Sequence, residues 1–168
     1  ILRYWYEMMI VDHGFLRLLY NNFHKINDNM YRSNMPTPQR IKKYKKLGIK
    51  TIINLRGGKK DGGWFLEKKA CEQNGIELVN LVARSRAAPD KNMIFKANAV
   101  FNSIKYPALI HCKSGADRAG IIAFLFKVIK SKQNPEVAKK QLSLKYLHVK
   151  HAKTCLLYTS DAADDTCC

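Results

Sequence analysis

A short apolar segment at residues 108–110 leads into a glycine-containing loop, which leads into a second apolar segment at residues 121–129. The first segment has the length of a buried strand, and the second suits a core helix. A β-branched run at 49–55 and a further apolar run at 76–82 have the same strand-like character. Because helix-compatible segments separate these runs, the sequence predicts an α/β domain with a central, mostly parallel sheet flanked by helices.

Local signals mark where the helices begin and end. Thr37 can cap a helix that has Pro38 at its first position and ends at Gly48. Asp90 stands directly before another helix, and Gly75 stands directly after one. The remaining predicted elements are an N-terminal helical segment over 2–20 broken near Gly14, a short strand at 30–33, helices at 64–74 and 91–103, and a C-terminal helix from Asn134 through Leu144.

Residues 155–168 break from the Lys-rich composition of the chain before them. Their start, CLLYTSDAADD, resembles one reading frame of a transposase mosaic-end adapter used to prepare sequencing libraries, so we expect this stretch to be non-native. The alternative is a genuine acidic tail. We therefore predict one domain over 1–154, with an N-terminal helical segment at 1–28 and the core at 29–154.

The chain is strongly basic, with 30 Lys and Arg against 13 Asp and Glu and a formal charge of +17. Without the terminal stretch, which carries three Asp and no basic residue, the charge becomes +20. Such a charge attracts polyanions and the surface of an anionic membrane without choosing between them. No nucleic-acid-binding motif accompanies the charge, so we expect no specific nucleic acid partner.

Cysteine usage indicates the compartment. Three of the five cysteines lie in the terminal stretch, which leaves Cys71 and Cys112. Two cysteines do not build a disulfide framework, and no apolar run is long enough to span a bilayer. No secretory signal pattern opens the sequence. We therefore expect a cytoplasmic protein.

The chemistry-bearing residues concentrate in the loop at 111–120, between the predicted strand and helix. Backbone N–H groups of such a loop, together with the positive end of the following helix, form a seat for a phosphate. Gly115 allows close approach of the backbone to an anion, and Arg118 can hold two of its oxygens at once. The same environment favours the thiolate of Cys112, which predicts nucleophilic attack on a bound phosphorus.

The spacing His111-Cys112-x5-Arg118 is similar to the signature of the cysteine-dependent protein tyrosine and dual-specificity phosphatases. The segments MYRS at 30–33, TIINLR at 51–56 and CKSGADR at 112–118 resemble those of a compact bacterial branch of that superfamily, and the resemblance covers residues 11–154. The resemblance implies a dual-specificity phosphatase fold, with Cys112 as nucleophile, Arg118 as phosphate clamp and His111 as loop support. It also implies no metal and no cofactor. The implied phosphate-binding residues are Lys113, Ser114, Gly115, Ala116, Asp117 and Arg118.

Two positions depart from the family pattern. Ala119 replaces the Ser or Thr whose hydroxyl helps to release the phosphocysteine intermediate, so turnover could be slow. The general acid is the second departure. Asp90 lies in a loop of the right topological kind but also suits an N-cap, whereas Asp117 resembles the loop Asp of the myotubularin lipid phosphatases. We favour Asp117; the alternative is that it pairs with Lys113, Arg56 or Arg118 and only holds the loop.

Further residues have a functional and a structural interpretation. Cys71 could form a regulatory disulfide with Cys112, but a small core residue is the simpler interpretation. His148 and His151 lack a companion Cys or acidic ligand, so we expect no zinc. Arg56, Arg84 and Arg86 follow strand ends, where they could rim the phosphate site or form a solvated basic face.

The sequence therefore predicts a hydrolase of phosphate monoesters, with phosphotyrosine or mixed phosphoprotein substrates first. Inositol phosphates or phosphoinositides are the alternative polyanionic substrates. A rhodanese-like sulfurtransferase is a competing enzyme class, because it also mounts a cysteine in an anion-binding loop. A phosphate-binding pseudophosphatase is the non-enzyme alternative, given Ala119 and the uncertain acid.

Overall fold

The computed structural model describes residues 1–15, 20–57, 61–84 and 88–149. Within these ranges five strands form one sheet: β1 (His24–Asn27), β2 (Met30–Ser33), β3 (Thr51–Asn54), β4 (Glu77–Asn80) and β5 (Ala108–His111). Their order across the sheet is β1-β2-β5-β3-β4. Only the β1–β2 pair is antiparallel, so the predicted mostly parallel sheet is confirmed.

Helices flank the sheet and begin or end largely where the capping signals predict. The Thr37 hydroxyl accepts from the Arg40 N–H at 3.4 Å, and the Asp90 carboxylate accepts from the Met93 N–H at 2.7 Å. Gly75 ends a helix with φ of +58°. The helices are α1 (Leu2–Tyr6), α2 (Pro38–Lys46), α3 (Gly62–Asn74), α4 (Lys91–Ser103), α5 (Asp117–Ile129) and α6 (Pro135–Ala138), with a π-helical stretch at Glu7–Val11 and 3-10 turns at Lys139–Gln141 and Leu144–Tyr146.

Two predicted helical segments are wrong in part. The predicted helical segment 1–28 includes β1, where Ile26 is buried and a turn at Asp28 and Asn29 returns the chain antiparallel along β2. Residues 16–19 of that segment lie outside the described residues. The C-terminal helix ends at Ala138 rather than Leu144, because the chain turns so that the Gln141 carbonyl accepts from Arg32.

The core lies on both faces of the sheet because successive strand residues point in opposite directions. Ile53 and Ile110 pack with α4 and α5 on one face. Their neighbours Ile52 and Leu109 pack with α2 and α3 on the other. No helix in the described ranges is long and apolar enough to cross a membrane.

Candidate active site

The loop that follows β5 lies where three parallel strands end together. Ser33 at the end of β2 and Asn54 at the end of β3 both stand in register with His111, the last residue of β5. Loops at the carboxyl edge of such a sheet converge, and this is where α/β proteins place ligands. The loop then enters α5 at Asp117, so its amides precede a thirteen-residue helix.

The sulfur of Cys112 faces into this loop. It accepts a hydrogen bond from the N–H of Gly115 at 3.2 Å, and the residue is 2% exposed. Gly115 has φ of +76°, and a Cβ on it would lie 2.6 Å from the carbonyl carbon and oxygen of Ser33. Glycine is therefore required here for both its backbone conformation and its lack of a side chain.

The guanidinium of Arg32 holds the loop by hydrogen bonds to its backbone. Its guanidinium, buried in β2, donates to the carbonyl oxygens of Gly115 at 2.8 Å and Ala116 at 3.0 Å. It also donates to the carbonyl of Gln141 at 2.7 Å and to that side chain at 3.2 Å. Burial lowers the pKa of Arg32 to about 10. Because C=O and N–H of a trans peptide point in opposite directions, the amides of Ala116 and Asp117 face away from Arg32.

His111 is held by a carboxylate that the sequence analysis missed. Its Nε2 lies 2.5 Å from Oε1 of Glu67 on α3, and both side chains are fully buried. The other oxygen of Glu67 accepts from Nδ2 of Asn54 at 2.7 Å. His111 Nδ1 lies 3.3 Å from the carbonyl oxygen of Cys112. The arrangement fits the predicted role of His111 in supporting the loop.

Arg56 lies beside Lys113 of the loop, and the two cations share one carboxylate. The carboxylate of Asp12 lies 3.0 Å from Lys113 Nζ and 2.8 Å from an Arg56 nitrogen. Arg56 also pairs with Asp61 at 3.2 Å. Arg84 is exposed. Arg86 lies outside the described residues.

Asp117 and Asp90 occupy different environments. The Asp117 carboxylate lies at the first position of α5, and its Oδ1 is 2.8 Å from Nδ1 of His148. The partner is thus His148 rather than the expected Lys113 or Arg56, which engage Asp12. Asp90 is exposed and caps α4, as its N-cap interpretation predicts.

Arg118 lies in the first turn of α5 and is partly exposed. Its guanidinium has no hydrogen-bond or ion-pair partner among the residues that the structure describes. Ala119 beside it is fully buried. The loop thus presents a sulfur, inward amides and one guanidinium, an arrangement suited to a tetrahedral oxyanion.

The remaining predicted residues are not part of this group of sulfur, amides and guanidinium. Cys71 is 1% exposed on α3 and is a free thiol, and burial raises its pKa, so the core interpretation is confirmed. His151 lies outside the described residues. Within the described part of the chain, no group of three His, Cys, Asp or Glu side chains could hold a metal ion.

Comparison with known proteins agrees with this geometry. Residues 21–155 match the family model of a DSP-PTPase phosphatase fused to NAD+ kinase. The chain belongs to this family of dual-specificity-type phosphatases. Similar curated proteins are inositol diphosphatase DSP3 of Arabidopsis thaliana, 28% identical, and dual specificity protein phosphatase TpbA of Pseudomonas aeruginosa, 22% identical. These matches cover 66% and 64% of this chain but only 56% and 47% of the relatives, so the chain spans about half of their length.

Solved structures share the phosphatase fold. The catalytic core of the PP-IP phosphatase SIW14 from S. cerevisiae superimposes with a TM-score of 0.66 at 18% identity, covering 83% of this chain and 85% of that one. TpbA from P. aeruginosa in complex with phosphotyrosine gives a TM-score of 0.63 at 18% identity, covering 76% and 75%. These structures confirm the predicted fold class, and the family model confirms the predicted superfamily.

Proposed function

We propose that the chain hydrolyses phosphate monoesters through a cysteinyl-phosphate intermediate on Cys112, with phosphotyrosine or mixed phosphoprotein substrates as its main class. The observation that carries the proposal is the 3.2 Å hydrogen bond from the Gly115 N–H to the Cys112 sulfur. A backbone donor directed at a sulfur beside a helix N-terminus is an arrangement typical of nucleophilic cysteines. No metal or cofactor enters the proposed reaction.

Binding comes first in the proposed sequence. The phosphate oxygens accept from the amides of the loop at 113–118, and Arg118 holds two of them from the side. Arg32 keeps those amides directed inward by holding the carbonyls of Gly115 and Ala116. The phosphorus is thereby placed above the sulfur of Cys112.

Two displacements at phosphorus follow. The Cys112 thiolate forms the S–P bond as the P–O bond to the leaving group breaks, and Asp117 gives its proton to the departing oxygen. Water then attacks the phosphocysteine, Asp117 takes its proton, and inorganic phosphate leaves the restored thiolate. Because Ala119 offers no hydroxyl, we expect the second displacement to limit turnover.

Inositol phosphates are the second substrate class, and one observation favours them. Lys113 and Arg56 add two cations at the rim, where both pair with the carboxylate of Asp12. The relative DSP3 is an inositol diphosphatase. A substrate with several phosphates could use these cations, whereas a phosphotyrosine side chain presents one phosphate.

Phosphate release from p-nitrophenyl phosphate, with reductant and chelator, tests the proposal. We compare the wild type with Cys112→Ser, Asp117→Asn and Asp90→Asn. Activity should vanish with Cys112→Ser and fall far more with Asp117→Asn than with Asp90→Asn. A burst of nitrophenol followed by a slow steady rate is expected from the Ala119 argument. Comparing a phosphotyrosine peptide with inositol hexakisphosphate then ranks the two substrate classes.

Other results would overturn the proposal in distinguishable ways. A folded protein that binds vanadate without turnover would be a phosphate-binding pseudophosphatase. Transfer of sulfur from thiosulfate to cyanide through a Cys112 persulfide would indicate the rhodanese-like alternative. A larger loss with Asp90→Asn would move the general acid from the loop to the start of α4.

A further inference from the structure

We propose that His148 is a positioning residue for Asp117, holding one carboxylate oxygen so that the other carries the proton given to the leaving group. The inference rests on the proposed function, in which Asp117 is the general acid. It assigns a role in the reaction to the C-terminal segment that follows α6. The side-chain contact joining His148 to Asp117 is its starting point.

The contact is short and protected from water. Nδ1 of His148 lies 2.8 Å from Oδ1 of Asp117. The His148 side chain is 1% exposed, whereas that of Asp117 is 20% exposed. Asp117 therefore has one side held by a buried ring and retains access to the space outside the loop. This is the arrangement required of an acid that must reach a substrate.

The backbone fixes the position of the ring. Leu147 adopts φ of +60°, which reverses the chain after the last 3-10 turn. The His148 N–H then donates to the carbonyl of Ser143 at 3.2 Å. His148 therefore closes a compact turn that fixes the position of its backbone, and the burial of its ring restricts the side-chain rotamer.

A second contact ties the same segment to the loop. The side-chain amide of Asn22 donates to the carbonyl of Tyr146 at 3.1 Å and to that of Ser114 at 3.0 Å. One side chain thus spans the segment and the loop. The Asn22 bridge therefore holds the segment that carries His148 near the loop, independently of the direct contact between His148 and Asp117.

The surroundings of the ring decide where its proton lies. Nε2 of His148 is buried and has no hydrogen-bond partner in the described part of the chain. An ionised carboxylate only accepts hydrogen bonds, so once Asp117 has given up its proton the nitrogen 2.8 Å from it must carry the hydrogen. The favoured tautomer therefore has its hydrogen on Nδ1, where it donates to Oδ1 of Asp117.

This tautomer determines which oxygen of Asp117 acts. With Oδ1 accepting from His148, the transferable proton resides on Oδ2. When that proton passes to the leaving oxygen, the new carboxylate strengthens the hydrogen bond from Nδ1, because a charged acceptor binds more tightly than a neutral one. His148 thus orients the acid and stabilises its product without contacting the substrate.

The test compares two substrates that differ in their need for an acid. Phenyl phosphate has a poor leaving group and requires protonation, whereas p-nitrophenyl phosphate requires little. In the full chain, His148→Ala should lower kcat/KM on phenyl phosphate about 10- to 100-fold, because kcat/KM reports the first displacement even when hydrolysis of the phosphocysteine limits kcat. It should lower kcat/KM much less on p-nitrophenyl phosphate.

Conservative variants keep the test valid if His148→Ala fails to fold. His148→Asn can place a side-chain N–H near the position of Nδ1 and should retain most of the phenyl phosphate activity. His148→Gln places its amide nearer Nε2 and should behave like the alanine variant. Leu144→Ala is the control in the same segment, since Leu144 is 74% exposed. That control should affect both substrates equally.

A double-mutant cycle separates the inference from the proposed function. Asp117→Asn combined with His148→Ala should be no slower on phenyl phosphate than Asp117→Asn alone. Additive losses, or equal losses of His148→Ala on both substrates, would overturn the role of His148. If Asp117→Asn itself shows no preference for the poor leaving group, the assignment of Asp117 as acid fails, and the inference fails with it.

Discussion

The guanidinium of Arg32 donates to the carbonyl oxygen of Gly115 at 2.8 Å, from the strand adjacent to the one that carries the loop. The same side chain reaches Ala116 and Gln141, so one buried cation holds the loop and the C-terminal segment together. Because the cation is fully buried, its stabilising effect depends on every one of these acceptors being in place.

Removing this cation should destabilise the whole domain. Arg32→Met preserves much of the volume but removes a donor from three buried carbonyls, of which only that of Ala116 keeps another donor, the Gly120 N–H. We expect the free energy of unfolding to fall by about 3 kcal/mol, measured by urea denaturation, together with loss of phosphatase activity. Arg3→Met is the matched control, because Arg3 is 86% exposed in its pair with Glu7 and should cost under about 1 kcal/mol. Equal losses for the two variants would contradict the bracing role.

Gly115 and Gly48 offer a matched pair of glycines with positive φ, at +76° and +83°. A Cβ at Gly115 would collide with the backbone of Ser33, whereas a Cβ at Gly48 would meet nothing within 4 Å. Gly115→Ala should therefore abolish activity and lower the free energy of unfolding by much more than Gly48→Ala does. Gly48→Ala introduces only backbone strain, which costs about 1 kcal/mol. Thermal unfolding and vanadate binding measure both effects. Vanadate affinity unchanged by Gly115→Ala would disprove the tight packing of the loop.

The two core cysteines should differ in reactivity. Burial raises the pKa of Cys71 above its ordinary value of 9.0, so its thiol stays protonated at neutral pH. We expect iodoacetamide at pH 7.5 to alkylate Cys112 and to leave Cys71 unmodified, as read by peptide mass spectrometry. Vanadate should protect Cys112. Comparable labelling of Cys71 in the folded protein would argue against its burial.

The same shift predicts the direction of alkaline destabilisation. The native state holds the Cys71 proton more tightly than the unfolded chain, whose thiol titrates near 9.0. The contribution of Cys71 to stability is therefore complete below pH 9 and is lost as the pH rises further. Cys71→Ala should remove this alkaline decrease in the free energy of unfolding. The lost packing should lower the free energy of unfolding at every pH, and urea denaturation across the pH range measures both effects.

The carboxylate of Asp12 lies between Lys113 and Arg56, where it offsets two cations of the rim. Asp12→Asn should lower KM for anionic substrates by about two- to five-fold, and the gain should shrink at high salt. Asp28→Asn, which changes the net charge equally on the exposed turn between β1 and β2, should leave KM unchanged. A higher KM for Asp12→Asn would instead mean that Asp12 organises the rim for binding.

The fold follows from the sequence where signals are local. Thr37, Asp90 and Gly75 act on their own helix ends, so short windows suffice to place them. The strand β1 was missed because only Ile26 of its four residues is buried, which leaves no apolar alternation to detect. Its pairing with β2 depends on the turn between them.

In the site, too, local features follow from the sequence, whereas contacts between distant elements do not. Cys112 and Arg118 share one loop, so their spacing predicts their proximity. Glu67 and His148 contact the loop from other elements, and no sequence spacing announces such contacts. Arg32 does have a signal in the sequence, because a single cation within a short buried strand needs buried hydrogen-bond acceptors.

The contacts of Arg32 and Asp117 with Gln141 and His148 also set an order of events during synthesis. Both partners follow Cys112 in the sequence, and a domain of this kind acquires its packing as a unit. The loop therefore lacks these two contacts until the segment that holds Gln141 and His148 has packed against it. We expect a chain that ends before Gln141 to leave Cys112 in an unassembled loop.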